Sequence, residues 1–378
     1  MGSITAYETN EGRRYRVRYR KPDRTQTDKR GFRTKRDAEL FLASTEVAKA
    51  RGEYVDATKA RISVGALAAD WLAHHGHLKA SSARSLEIAW RLHVAPRWAR
   101  IPVADVVFSE VQAWVTDLHL TRGKSPTTVI RAYGVLAAIL DVAVRDRRVL
   151  TNAARGVKLP RKVGKEHTYL SHGQVELLAS HSGPHKTLVE FLAYTGLRWG
   201  EMTALRVRNI DFSRHRINVQ QNAVEVGGTF VVGTPKTHES RSVPFPHFLS
   251  EPLAELCTGK APGDLVFGSG TVFIRPPDSR RGWWIGALKK CRVEEPSFPW
   301  ITRHDLRHTA ASLAISAGAN VKAIQRMLGH SSAAMTLDTY ADLFDDDLDR
   351  VGRALDDARA QSATRQRGIV KDEKVRDQ

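Results

Sequence analysis

The chain has 378 residues, 42% hydrophobic and 26% charged, which is too long for one ordinary domain and apolar enough to build more than one core. Its 59 lysines and arginines against 41 aspartates and glutamates leave +18, an excess that points to a polyanionic partner, most simply nucleic acid. The sequence offers little for a membrane reading: no basic amphipathic helix, no lipid-anchor motif, and no apolar run approaching the ~18 residues of a span.

The N-terminus lacks the regions of a signal peptide, and two cysteines, Cys257 and Cys291, exclude a disulfide framework or a zinc ribbon. The expectation is a cytoplasmic protein with no membrane partner. Charge is net positive over residues 1–60, 61–160 and 161–340, and net negative over 341–378. Each of the first three segments is therefore expected to touch phosphate.

In chain order, Tyr15-Arg16-Val17-Arg18-Tyr19-Arg20 alternates apolar and basic residues, which in a strand puts the arginines on one face. Lys21-Pro22-Asp23 marks a turn into a second strand ending near Phe32. Thr34, with Asp37 three residues on, opens a helix to about Arg51. Arg13, Arg14, Arg16, Arg18, Arg20 and Lys21 read as a DNA-facing cluster, the competing reading being a solvated charged face.

After a linker at 59–65, helices are predicted over Val64–His75, Ser81–Val94, Ser109–His119 and Pro126–Arg147. Ser109 is expected as an N-cap, and the last helix carries a core stripe of Val129, Ala132, Tyr133, Leu136, Ile139, Leu140 and Ala143. Residues 156–166 form a basic linker. From 167 to 360 the chain reads as a mixed domain. Its expected helices are Ser171–His181, Lys186–Tyr194, Trp199–Leu205, Trp283–Cys291, Leu306–Ala317, Val321–Leu328 and Asp346–Arg359. Strands Arg216–Val226 and Thr229–Val232 are joined through Gly227-Gly228, with Arg241–Phe245 completing a three-stranded sheet. Residues 361–378 are a charged tail.

Four stretches of this domain carry chemistry: Thr195-Gly196-Leu197-Arg198-Trp199-Gly200-Glu201, Thr234-Pro235-Lys236-Thr237, His304-Asp305-Leu306-Arg307-His308, and Leu328-Gly329-His330 with Thr339-Tyr340. Together they resemble the tyrosine recombinases, whose pattern is TGLRxxE, a hairpin lysine, HxLRH, LGH and a tyrosine about ten residues later. All five parts occur in order, and Tyr340 falls ten residues after His330.

In-line attack on a phosphodiester builds charge on the two non-bridging oxygens, which fixed cations must balance when no metal is used. Arg198 and Arg307 suit that task, because guanidinium presents paired donors and keeps its charge. The resemblance makes Tyr340 the nucleophile. His304 is the candidate base, Lys236 the candidate acid toward the leaving 5′-oxygen, and His330 a donor to a non-bridging oxygen. Glu201 is expected to orient Arg198 or His304, or to form a plain helix salt bridge. His304, His308 and His330 also suggest zinc, but no acidic or thiolate ligands accompany them. There is no Gly-rich phosphate loop either. No metal and no cofactor are expected.

The resemblance extends to the whole layout, a multidomain phage-type integrase. It implies a small α+β arm-type DNA-binding domain (1–58, a three-stranded sheet plus helix), an all-α core-binding domain (61–155) and a mainly helical α+β catalytic domain (167–360) with a small antiparallel sheet. It also implies a homotetramer on double-stranded arm and core attachment sites, a Holliday junction intermediate, a host DNA-bending protein and an excision directionality factor. The acidic run Asp345–Asp349 leads into an amphipathic helix with Leu348, Val351 and Leu355, expected either to dock on a neighbouring protomer or to pack on its own domain. The alternatives are an integrase of a conjugative element, a plasmid resolvase, or a non-catalytic architectural DNA-binding protein.

Overall fold

The computed structural model describes residues 2–340 except 57, 77, 163, 165–166 and 235–239, and beyond them only 352, 355, 356 and 359. The chain divides into two compact units, Met1–Gly164 and Lys165–Gln378, and the division falls within the basic segment 156–166.

The first unit opens with an antiparallel sheet, β1 (Ser3–Thr9), β2 (Gly12–Arg20) and β3 (Gln26–Phe32), with β2 in the middle. Alternation along β2 does what its pattern implies. Val17 is fully buried, and Tyr19 meets Phe41 of helix α1 (Lys35–Ala50) edge to face at 5.8 Å. Thr34 caps α1, its hydroxyl accepting from the Asp37 amide at 3.1 Å.

Helices follow: α2 (Val64–Ala73), α3 (Ala80–Ala89), α4 (Ala95–Trp98), α5 (Phe108–Thr116) and α6 (Pro126–Arg145). Their core holds Trp98 against Trp114 and the expected stripe of α6, with Val129, Ala132, Leu136, Ile139, Leu140 and Ala143 buried. Tyr133 is half-buried, and its hydroxyl donates to the Ala154 carbonyl at 2.8 Å.

Three expectations change here. The helix predicted to end at Val94 runs on to Trp98 through a π-helical turn, Trp90–Val94. That wider turn relieves the clash Pro96 would otherwise make with the carbonyl four residues back. Ser109 is not the cap: α5 starts one residue earlier, behind Val107, with no side-chain cap bond. Finally, α6 is long and apolar enough to cross a membrane by length and composition, contrary to the reading that no run came close. Its apolar side chains are instead spent on the core of the helical bundle.

The second unit contains α7 (His172–Ser180), α8 (Lys186–Thr195), α9 (Trp199–Thr203), β4 (Ile210–Asp211), β5 (Arg216–Val219), β6 (Asn222–Val226), β7 (Thr229–Gly233), β8 (Arg241–Pro244) and α10 (Ser250–Cys257). After these come β9 (Gly268–Ser269), β10 (Val272–Phe273), α11 (Trp283–Glu294), α12 (Asp305–Ser316), α13 (Val321–Leu328) and α14 (Ala333–Tyr340). Ser171 and Gln174 close a capping box on α7.

The single strand predicted over Arg216–Val226 is two. β5 pairs with β4 and β8 in a three-stranded sheet, whereas β6 pairs with β7 in a separate ribbon. The burial alternation of Ile217, Val219 and Ala223 keeps its period of two across the break, so the pattern cannot reveal the change of partner. The main core gathers Phe191, Leu192, Phe298 and Leu306 between α8, α11 and α12. A smaller cluster of Ala311, Ile315, Ile324 and Leu328 encloses Tyr340.

Candidate active site

Glu201 organises one half of the site. Its carboxylate is 2% exposed and accepts four N–H bonds. Two come from Arg198, the backbone amide at 2.9 Å and Nη1 at 3.0 Å. Two come from the Arg241 fork, Nη1 at 2.9 Å and Nη2 at 2.7 Å, a bidentate pair. Burial alone would raise the carboxyl, but the Arg241 bonds and the two guanidinium charges outweigh it and hold Glu201 below the usual range. Arg241 also donates through Nε to the Met327 carbonyl at 3.0 Å, tying β8 to the end of α13. Of the expected partners Glu201 bonds Arg198, as an i,i+3 ion pair that Arg241 extends, and among the described residues it makes no bond to His304.

Arg307 organises the other half. It is 3% exposed, and its guanidinium donates to the Gly196 carbonyl at 2.6 Å and to the Leu328 carbonyl. Both acceptors lie at helix C-termini. α8 ends in Gly196 at φ 64° and α13 in Gly329 at φ 66°, left-handed caps that glycine adopts without strain. The negative ends of two helix dipoles therefore meet one buried cation. Arg198 follows the first cap and His330 the second, so the stapled helix ends also aim these two side chains. Burial and nearby Arg198 pull Arg307 down to about 9, which still leaves it charged at neutral pH. Two of its five N–H groups are used, leaving three without a protein acceptor among the described residues.

The histidines and Tyr340 complete the cluster. Tyr340 is 1% exposed, and its hydroxyl lies 2.9 Å from His308 Nδ1. Its ring stacks with that of His330 at 6.5 Å and lies 6.3 Å from that of Tyr169. Burial pushes the phenol up to about 12 against the opposing pull of Arg307. Burial followed by neighbouring charges lowers His308 and His330 to about 4 each, so both are neutral at pH 7. His304 sits at the entrance to α12, edge-on to His308 at 5.0 Å, lowered by burial and then by Arg307. His330 Nδ1 lies 2.9 Å from the Thr336 hydroxyl, which fixes the ring.

Arg198, Glu201, His304, Arg307, His330 and Tyr340 thus converge, and Lys236 lies outside the described residues. An open groove of about 990 Å³ is lined by Arg241 and His330, and a second of about 450 Å³ by His304 and Arg307. Residues 169–346 match the model of the phage integrase family.

These residues form a phage integrase family domain, the domain of tyrosine recombinases.

The integrase of Mycobacterium phage D29 is 27% identical over 82% of this chain and 84% of its own length. The fold is shared with the Tn1549 transposon integrase in complex with a circular intermediate DNA, at TM-score 0.65 and 22% identity over 77% of this chain and 99% of that one. It is also shared with the lambda integrase tetramer bound to a Holliday junction, at TM-score 0.55 and 16% identity over 87% and 96%.

Within the integrase domain, sequence reasoning missed Arg241 and the contact made by His308. His308 stood inside the HxLRH stretch, but the expected base was His304, and it is His308 that meets the tyrosine hydroxyl. Arg241 had no signal beyond its place at the start of a strand.

The basic residues of β2 lie in the first unit. Arg13 and Arg18 are exposed, Arg14 reaches Glu11 at 3.2 Å, Arg16 lies 3.8 Å from Asp28, and Arg20 donates to the Arg24 carbonyl at 3.1 Å. Lys21 is ion-paired to the largely buried Asp56, which already balances its charge.

Proposed function

We propose that this chain is a site-specific DNA recombinase of the phage-integrase kind, which cleaves and rejoins attachment-site DNA through Tyr340. The observation that carries the proposal is the convergence of Arg198, Arg307, His304 and His330 around one buried phenol. Arg198 and the unused N–H groups of Arg307 hold the non-bridging oxygens of the reacting phosphate, with His330 beside them. The Tyr340 oxygen attacks phosphorus, the bond from phosphorus to the 5′-oxygen breaks, and the DNA is left as a 3′-phosphotyrosyl ester. The phenol proton passes to a neutral histidine, His308 or His304, and Lys236 protonates the departing 5′-oxygen. Attack by a 5′-hydroxyl from the partner duplex reverses these steps and restores Tyr340, so no ATP is consumed.

In this structure the phenol is buried on His308, so cleavage requires that it be uncovered to the DNA backbone. Two such exchanges build a Holliday junction and two more resolve it, in line with the lambda integrase tetramer bound to a Holliday junction. The sheet and α1 of residues 1–58 act as the arm-binding domain, and the helices of 61–155 hold the core site. Integration and excision of a prophage, with a host DNA-bending protein and a directionality factor, complete the reading. The fold shared with the Tn1549 integrase favours one second reading, the same chemistry in a conjugative element.

The test is a suicide duplex nicked near the cut site, made from the sequence flanking the element. The native chain is expected to form a covalent adduct, and Tyr340→Phe to bind the same DNA without forming one. An adduct that survives this substitution removes Tyr340 from the mechanism.

A further inference from the structure

Beside the paired arginines stands a cation that the mechanism does not use. Arg303 immediately precedes His304 and is half-buried, with its guanidinium 4.9 Å from the centroid of the Trp199 ring. Among the described residues no carboxylate or carbonyl accepts from it, in contrast to Arg198, Arg241 and Arg307, each of which has such a partner. Burial lowers its affinity for the proton, as expected of a cation with partial desolvation and no counter-ion.

Its backbone is held. The Thr302 amide and hydroxyl donate to the Asp305 carboxylate at 2.6 and 2.9 Å, and the Asp305 amide returns to the Thr302 carbonyl at 3.0 Å. The side chain lines the groove of about 450 Å³ together with Trp199, Asn222, Phe230, His304 and Arg307. A guanidinium kept partly out of water by an aromatic face, beside a site built for phosphate, is ready for an anion that arrives with the substrate.

We propose that Arg303, presented on Trp199, contacts a second DNA phosphate, one flanking the phosphate held by Arg198 and Arg307. The contact would fix the register of the strand in the groove and set how far the reacting phosphorus can slide. The inference rests on the recombinase reading, because it takes DNA to be what enters the groove.

The competing role for Arg303 is structural, a cation that only packs on Trp199. Salt dependence separates the two. Each phosphate contact adds about 0.9 to the slope of log K against log salt on duplex DNA, whatever the sequence. With the full chain and a labelled duplex of scrambled sequence, Arg303→Gln is expected to reduce that slope by about 0.9, and Arg303→Lys to keep it. If Arg303→Gln fails to fold, Arg303→Met, which keeps an apolar stem on the Trp199 ring, is read in the same way.

An unchanged slope on loss of the charge overturns the proposal. So does an equal fall with Lys, which would mark a distorted loop rather than a lost contact. The adduct assay keeps the two readings apart. A normal adduct from the native chain with no change of slope in Arg303→Gln sinks only this inference. Absence of any adduct with a reduced slope sinks only the recombinase reading.

Discussion

Arginines do different work in the two units. On β2, Arg13, Arg18 and Arg20 are exposed while Arg14 and Arg16 are part-buried, and their partners, where present, are Glu11, Asp28 or a turn carbonyl. Around α9 and α12 Arg307 is 3% exposed, and the part-buried Arg198 and Arg241 share a carboxylate that is 2% exposed. An exposed arginine loses little on release from its partner and can follow any phosphate backbone. A buried one is committed to a geometry, because moving it strands a charge or a carboxylate. The first arrangement suits reach and affinity, and the second suits stabilisation of one developing charge.

The comparison breaks most readily at Glu201. Glu201→Gln leaves the part-buried Arg198 and Arg241 without the buried carboxylate they share, and the expected cost is about 3 kcal/mol of unfolding free energy in urea titration, the low end for breaking a buried pair. A cost near zero would mean the pair is held by packing alone. Next in size is Arg307→Lys. A single ammonium cannot bridge the Gly196 and Leu328 carbonyls and still present a planar fork, so adduct formation should slow by about 100- to 1000-fold while DNA binding persists. Unaltered kinetics would show that charge suffices without the fork.

A pH series sharpens the same point. His308 and His330 have folded pKa values of about 4 against an ordinary 6.5, so between those values the unfolded chain binds more protons. Their contribution to stability is present above about 6.5 and is lost as pH falls toward 4. Glu201, lowered from 4.5, adds a further loss below that value. Urea midpoints should fall across this range, and His308→Asn should flatten the upper part; a profile identical to the native one would place His308 in water.

The smallest effect is on the strand. Arg18→Ala should change stability by no more than about 0.5 kcal/mol and reduce the salt slope of DNA binding by about 0.9, read by titration at several salt concentrations. A large loss of stability there would erase the contrast between the two regions.

What the sequence made legible follows from how each feature is encoded. The β2 faces and the α6 stripe were readable because burial imposes a period. Arg198 and His330 were readable because their motifs include the glycines that cap α8 and α13, and Arg307 through its place in the His304-Asp305-Leu306-Arg307-His308 run. Arg241 was not, since its partner Glu201 lies 40 residues earlier and no local pattern joins them. The split of β5 from β6 was hidden by an alternation that continues through it. The contact between His308 and Tyr340 depends on how α12, α13 and α14 pack, which local sequence does not express. Lys236 and most of the stretch after Tyr340 over which an amphipathic helix is predicted fall outside the described residues, so their expected roles stand as proposals.

The account stands or falls on whether the phenol enclosed by Ile315, Ile324 and Leu328 is the group that takes the DNA. The direct measurement is protease digestion of the trapped protein–DNA adduct followed by mass spectrometry of the nucleotide-bearing peptide. The predicted result is a nucleotide 3′-phosphate esterified to Tyr340. The same mass on any other side chain, or cleavage that leaves no protein-bound nucleotide, would contradict it.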